Sequence, residues 1–353
     1  MSAVTPPAPL HVVLGTGPAG TTLAEELLRQ GLRVRTVDRT GRAKLPGVEA
    51  VAADLGSPAA AREAVAGAEV VHHCVNVAYE HQVEMMPALQ KVIVDATAEA
   101  GARLVVMDTL YPYGPSGGEP LTEDAPWRAT SRKGRMRARL DEAYLAAHRA
   151  GRLPVVLARA ADFYGPRVVN STLGGAVFPA ALTGGTVIAL GSLDLAHSFT
   201  YIGDVARGMA RLSQEPDAFG RAWHLPTAAA PTVREVLDLV RDRTKITFET
   251  EVLTEPRSWG PFDDAFMAEY AELFYQHTET QTMVSDAFEQ RFGTAPTPLR
   301  DGIGATVDWY WSWLAERSAE RSAEQSAEGR AEGYAEGREE VCGEGSAAVN
   351  GAV

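Results

Sequence analysis

The sequence predicts an α/β fold: a doubly wound parallel sheet with a smaller C-terminal α/β lobe that would bind substrate. Three observations carry that expectation. Apolar runs of strand length alternate with helical patterns from Val12 to Ala158. A glycine-rich turn joins the first run to the first helix. After Gly165 the alternation weakens into shorter strands and scattered helices. Strand–helix alternation with short turns implies crossover units and a sheet covered on both faces.

The expected strands are Val12–Leu14, Arg33–Val37, Glu49–Ala53, Val70–Val75, Leu104–Met107 and Val155–Ala158. Between them fall the helical stretches Thr21–Gln30, Ala59–Ala66, Met85–Ala100 and Gly134–Ala150. The run Val70-Val-His-His-Cys-Val lacks clean alternation, which fits a central strand buried on both faces. In the smaller lobe the short strands are Val187–Leu190, Phe199–Ile202 and Ala222–Leu225. Its helices are Val233–Arg241, Asp264–Tyr275 and Thr306–Leu314. The expected division is residues 10–165 for the sheet domain, 166–314 for a lobe interleaved with the core sheet, and 315–353 for a disordered low-complexity tail. In that tail the Ser-Ala-Glu and Ala-Glu-Gly repeats lack an apolar face. Residues 1–9 are a Pro-rich lead-in.

Bulk properties narrow the function. The 353 residues are 45% hydrophobic, enough for a full core. The net charge of −13 argues against a nucleic-acid partner, because an acidic surface repels phosphates. The segment from Ala315 onward, with nine Glu against four Arg, carries about five of those charges. Cys74 and Cys342 are the two cysteines, so a structural disulfide is not expected and a cytoplasmic location fits. No apolar run reaches the length of a membrane span, and the N-terminus lacks a basic signal region. His72 and His73 point to opposite faces of one strand and cannot chelate one ion; no metal site is expected.

Gly15-Thr16-Gly17-Pro18-Ala19-Gly20 follows the first strand and opens the first helix. Such glycines permit a tight turn, backbone approach to a pyrophosphate and close helix–strand packing, while the helix N-terminus offers N–H donors. This predicts a Rossmann-type NAD(P) site. Asp38, 18 positions after Gly20, ends the second strand where a carboxylate meets a ribose 2′-hydroxyl and favours NAD. Arg39 and Arg42 follow and would pair with a 2′-phosphate, and on their account the reading leans to NADP, with Asp38 rotated away. Asp54 and Leu55 follow the third strand near the adenine; Val75 and Asn76 end the fourth near the adenosine ribose. Cys74 reads as a small buried apolar residue.

With these segments in view, the chain resembles the extended short-chain dehydrogenase/reductases, the nucleotide-sugar epimerase and dehydratase family, over residues 10–310. Ala100–Thr109 followed by Tyr113-Gly114 looks like the family's fifth strand and catalytic Ser/Thr segment. Leu157–Arg167 looks like the loop over the nicotinamide, with Phe163 against the cofactor. His197–Ala206 looks like the return from the substrate lobe. The resemblance implies a small-molecule substrate touched by Tyr164, Arg167, Asn170, His197 and Tyr201, and a homodimer through the helices at Met85–Ala100 and Gly134–Ala150.

The family's Tyr-x-x-x-Lys is missing, although the chain has ten tyrosines. By position, Lys133 stands at the tyrosine place and Arg137 at the lysine place, while Thr109 keeps the Ser/Thr place. The chain therefore resembles an atypical member. Thr109 would hold a carbonyl, and Tyr111 or Lys133 would shuttle the proton. Lys133 reads as a solvated helix charge, as an acid, or as a base if burial, Arg137 and a cationic nicotinamide push its pKa down. Arg137 would bond the nicotinamide ribose. Tyr113 and Asp108 read as structural.

The leading expectation is an NAD(P)-dependent oxidoreductase acting on a carbonyl or alcohol of a small metabolite, in a specialised-metabolism setting. The alternatives are a non-redox epimerase, dehydratase or cyclase on the same fold, and a dinucleotide-binding sensor without catalysis.

Overall fold

A computed structural model describes residues 8–259 and 262–343. The chain divides into two units, Met1–Val307 and Asp308–Val353, and the first contains both the sheet and the smaller lobe.

The sheet is built from β1 (Leu10–Leu14), β2 (Arg33–Asp38), β3 (Glu49–Ala52), β4 (Val70–His73), β5 (Arg103–Asp108), β6 (Val155–Arg159) and a late strand, β10 (Ala222–His224). Their order is β3-β2-β1-β4-β5-β6-β10, and every pairing is parallel. The order reverses between β1 and β4, which opens a crevice at the carboxyl edge for a ligand. Crossover helices are α1 (Pro18–Arg29), α2 (Pro58–Val65), α3 (Gln82–Glu99) and α4 (Arg132–Arg149). Strand alternation sorts the core into two layers. Val12, Leu14, Leu104, Val106 and Leu157 pack with Ala61, Ile93 and Leu140 of α2, α3 and α4. Val13, Val105 and Val156 pack on the other face with Leu23 and Leu27 of α1, and with Val205 and Met209 of α6 (Ile202–Ser213).

The lobe holds β7 (Asp162–Tyr164), α5 (Phe178–Thr183), β8 (Thr186–Leu190), β9 (Phe199–Tyr201), α7 (Val233–Thr244), β11 (Glu249–Leu253), α8 (Asp264–Tyr270) and α9 (Asp286–Phe292). Here β8 pairs with β11 and β7 with β9. Leu190, Leu253, Met267, Tyr270 and Leu273 form its apolar centre, and Tyr111 joins them from the edge of the main sheet.

Three differences from the sequence reading have physical causes. Ala222–Leu225, expected in the lobe, supplies β10 at the edge of the main sheet, because α6 returns the chain to the face that α1 covers. The Asp264–Tyr275 pattern is α8 followed by tight 3₁₀ turns over Ala271–His277. The repeats expected as a structureless tail continue α10 (Leu299–Gly343), since Ala, Glu, Arg and Gln are strong helix formers. Within the second unit, Trp309, Tyr310 and Trp313 contact one another and Arg317 lies over the Trp313 ring. The lead-in residues Met1–Pro7, residues 344–353 and the Cys342 side chain lie outside the described residues. Among the described residues no helix is long and apolar enough to cross a membrane, and no cluster of His, Cys, Asp or Glu could hold a metal ion.

Candidate functional site

The glycine turn has the form that its sequence implies. Gly15 has φ +92, a region that side chains avoid, and a Cβ there would lie 3.0 Å from the Cys74 backbone. A Cβ on Gly20 would stand 1.9 Å from the Gly15 carbonyl oxygen, so only glycine lets α1 sit this close to the turn. At Gly17 a Cβ would meet nothing within 4 Å: the space in front of the helix is open. The helix supplies no acceptor of its own there. Ser57, Ser131, Thr232 and Asp263 cap α2, α4, α7 and α8 with side chains, whereas Gly17 caps α1 with none. Pro18 and Ala19 begin the helix, and the first intrahelical bond runs from the Thr21 amide to Gly17. An open cradle and uncapped amides fit a pyrophosphate.

Asp38 is fixed rather than free to rotate. One carboxylate oxygen accepts from the Thr40 amide and hydroxyl at 2.7 Å and from the Gly41 amide at 2.8 Å; the other accepts from the Thr16 hydroxyl. Desolvation works against its charge, but these hydrogen bonds outweigh it and hold the pKa at about 2. Arg39 and Arg42 are exposed beside it. The lean to NADP therefore loses its premise: a 2′-phosphate would face an ionised carboxylate that cannot turn away. Lys44, which the sequence reading did not single out, places Nζ 2.6 Å from the Thr16 carbonyl. It lies in an unpatterned loop, so nothing in the sequence pointed to it. Asp54 is exposed and accepts from the Gly56 amide at 2.9 Å, and Leu55 is buried.

At the end of β4, Asn76 accepts a bond from Arg137 Nη2 at 2.9 Å, so α4 and β4 converge as the resemblance implies. The Nε of Arg137 is buried with no hydrogen-bond partner among the described residues. Val75 is half-buried, and Phe163 packs in the same apolar layer as Cys74 and Met107. Cys74 is a free thiol whose pKa burial pushes up to about 12.

Thr109 lies half-buried just past β5. Tyr111 is buried, and its hydroxyl meets that of Tyr79 at 2.8 Å. Burial, with Tyr79, Tyr270 and Asp162 nearby, pushes the Tyr111 phenol well above its usual range, so it stays protonated. Tyr79 was missed because it sits in a short 3₁₀ turn beyond β4 without periodic signal.

Lys133 is not the solvated helix charge that one sequence reading made it. It is fully buried, and its ammonium is bound to the Glu269 carboxylate, to Glu272 at 3.0 Å and to the Glu269 carbonyl at 3.1 Å. It is thus a buried, paired charge rather than a solvated one. It ties α4 to α8 and the turns after it. Tyr113 is structural as expected: its hydroxyl meets His224 Nε2 at 2.7 Å. Asp108 likewise holds Arg159 at 2.6 Å, and Asp141 of α4 holds the same guanidinium at 2.7 Å.

The five residues expected at substrate separate. Tyr164 is buried, and a Cβ at Gly302 would lie 2.3 Å from its hydroxyl. Tyr201 packs its ring against Gly203 and Tyr164. Arg167 forms a bidentate pair with Glu25 of α1, at 3.0 and 2.6 Å, and Asn170 is exposed. Only His197 lies with the tyrosine group, 3.3 Å from Asp162. Asp162 was overlooked although it stands between two residues quoted for the nicotinamide loop, Ala161 and Phe163.

A glycine cradle, a carboxylate fixed at the end of β2 and a group of hydroxyls at the carboxyl edge define a dinucleotide-binding α/β protein. Residues 12–225, more than half of the chain, match the NAD dependent epimerase/dehydratase family, and the chain belongs to it. No curated protein matches it in sequence. Solved structures match in fold. The dTDP-glucose 4,6-dehydratase DesIV from Streptomyces venezuelae, with NAD and TYD bound, is 19% identical over 86% of this chain and 97% of its own, with TM-score 0.70. UDP-glucose 4-epimerase from Thermotoga maritima is 16% identical over 86% of this chain and 99% of its own, with TM-score 0.72. MoeE5, in complex with UDP-glucuronic acid and NAD, is 21% identical over 86% and 99%, with TM-score 0.71.

Proposed function

We propose that the protein is an NAD-dependent enzyme that interconverts an alcohol and a carbonyl on a small metabolite. The observation that carries this reading is the Tyr79–Tyr111 hydroxyl pair at the same sheet edge as Thr109, Arg137 and the glycine cradle. Gly17 and the first amides of α1 would hold the pyrophosphate, Asp38 the adenosine ribose and Arg137 the nicotinamide ribose. The bound nicotinamide supplies a two-electron hydride acceptor or donor. Thr109 hydrogen-bonds the substrate oxygen, and the Tyr111 hydroxyl donates a second hydrogen bond to it, with Tyr79 orienting the phenol. The aromatic turns of residues 264–277 keep water from the phenols.

A second reading, epimerisation or dehydration without net redox, is favoured by the family itself and by neighbours titled as an epimerase and a dehydratase. Following nicotinamide absorbance against a carbonyl panel separates the two: net reduction consumes cofactor, while epimerisation or dehydration converts substrate without doing so. On the first reading Tyr111→Phe lowers kcat about 100-fold with little change in cofactor affinity. Unchanged kcat in that variant removes Tyr111 from the chemistry.

A further inference from the structure

Two groups at this edge carry a proton that the reading above leaves unused. His197 is buried, with Nδ1 3.1 Å from the Gln276 carbonyl and Nε2 3.3 Å from Asp162 Oδ2. A carbonyl and a carboxylate both only accept, so each ring nitrogen faces an acceptor and each contact needs a hydrogen. The pair therefore holds one proton more than a neutral imidazole beside a carboxylate. Oδ2 also accepts from the Thr172 hydroxyl at 3.2 Å. Oδ1 has no hydrogen-bond partner among the described residues, on a side chain 20% exposed.

The groups facing the pair are phenols and a second imidazole. Tyr79, Tyr111, Tyr270 and Tyr275 all feel the Asp162 charge. His277 stacks on His197 at 5.5 Å, bonds the Tyr270 hydroxyl at 2.7 Å, and is kept neutral by burial. Burial opposes the charge on Asp162, but the His197 hydrogen bond outweighs it and holds the carboxyl below its usual range. The phenols donate hydrogen bonds but resist ionisation, so the titrating group must come from elsewhere.

We propose that Asp162 and His197 are the acid–base pair of this site, with Asp162 Oδ1 receiving the proton of a substrate hydroxyl. The substrate O–H bond breaks, an O–H bond forms on Asp162, and the electron pair stays on the substrate oxygen. The reverse transfer protonates a substrate oxygen. His197 keeps the carboxylate ionised in the resting site and ready to accept. This rests on the reading of this edge as the active site, but the proton count holds independently of it.

Two measurements test the pair. In nitrogen-15 spectra of the imidazoles, His197 has both ring nitrogens protonated at about pH 7, and Asp162→Asn returns it to a neutral ring. A neutral His197 beside an ionised Asp162 in the wild type overturns the proposal, whatever the enzyme does. Turnover of a panel of secondary alcohols with NAD is then followed from about pH 5 to 9. Asp162→Asn and His197→Gln are expected to lower kcat about 100-fold, with NAD affinity within about twofold of wild type. Wild-type rates in folded Asp162→Asn also overturn it, whereas no turnover of any alcohol by the wild type defeats the functional reading. Loss of NAD binding in the wild type defeats that reading as well, and the imidazole spectra tell the two failures apart.

Discussion

Five buried histidines are packed as neutral rings, and acid charges them. Burial lowers His11 from 6.5 to about 4. It lowers His73, His224 and His277 from 6.5 to about 3, and moves His72 in the same direction. In the unfolded chain these rings take protons near their ordinary pKa; in the fold they do not. Their contribution is thus complete above about pH 6.5 and is lost as pH falls toward their folded values. Each pH unit in that window costs about 1.4 kcal/mol per ring. At pH 5 that is about 2 kcal/mol for each of the four rings with stated values, or about 8 kcal/mol together. A domain's whole stability is about 5–15 kcal/mol, so the protein is expected to lose between about half and all of its stability by about pH 5. Tryptophan fluorescence and circular dichroism against pH, with urea midpoints at each step, measure it. His73→Leu should make the slope shallower by about 1.4 kcal/mol per pH unit. Constant stability from about pH 7 to 4.5 refutes the reasoning, because it would mean that these rings are hydrated or charged in the fold.

Gly20→Ala places a Cβ 1.9 Å from the Gly15 carbonyl and must push α1 off the turn; we expect a loss of about 3 kcal/mol in urea unfolding and of NAD binding by calorimetry. Asp141→Ala removes one of two carboxyl groups, the one that burial and Asp108 push well above the usual carboxylate range, from the fully buried Arg159, whose Nη1 already lacks a partner among the described residues. Asp108 still pairs the guanidinium, so it should cost about 1–3 kcal/mol, the penalty of leaving one more buried donor without a partner, read as a fall in thermal midpoint.

Much of the sheet was legible because its strands are apolar and its helices periodic, and Gly15–Gly20 and Asp38 carried the cofactor turn in local sequence. Long-range partners were not legible. Whether Lys133 is solvated depends on Glu269 and Glu272, far along the chain in a segment whose 3₁₀ turns break helical periodicity. Asp38 looked free to rotate until Thr16 and Thr40 were seen to pin it. The strand β11, Glu-Thr-Glu-Val-Leu, was too polar to stand out, and it exists because β8 offers a parallel edge. Asp162 was hidden by its neighbours' better-known roles, and only its contact with His197 marks it.

The central claim is that the glycine cradle and Asp38 hold NAD in an active enzyme. Calorimetric titration with NAD, NADH, NADP and NADPH tests it most directly. Micromolar binding of the NAD pair is expected, with the phosphorylated pair weaker by about tenfold or more. Preference for the NADP pair would contradict the role given to Asp38, and absence of binding by all four would contradict the account as a whole.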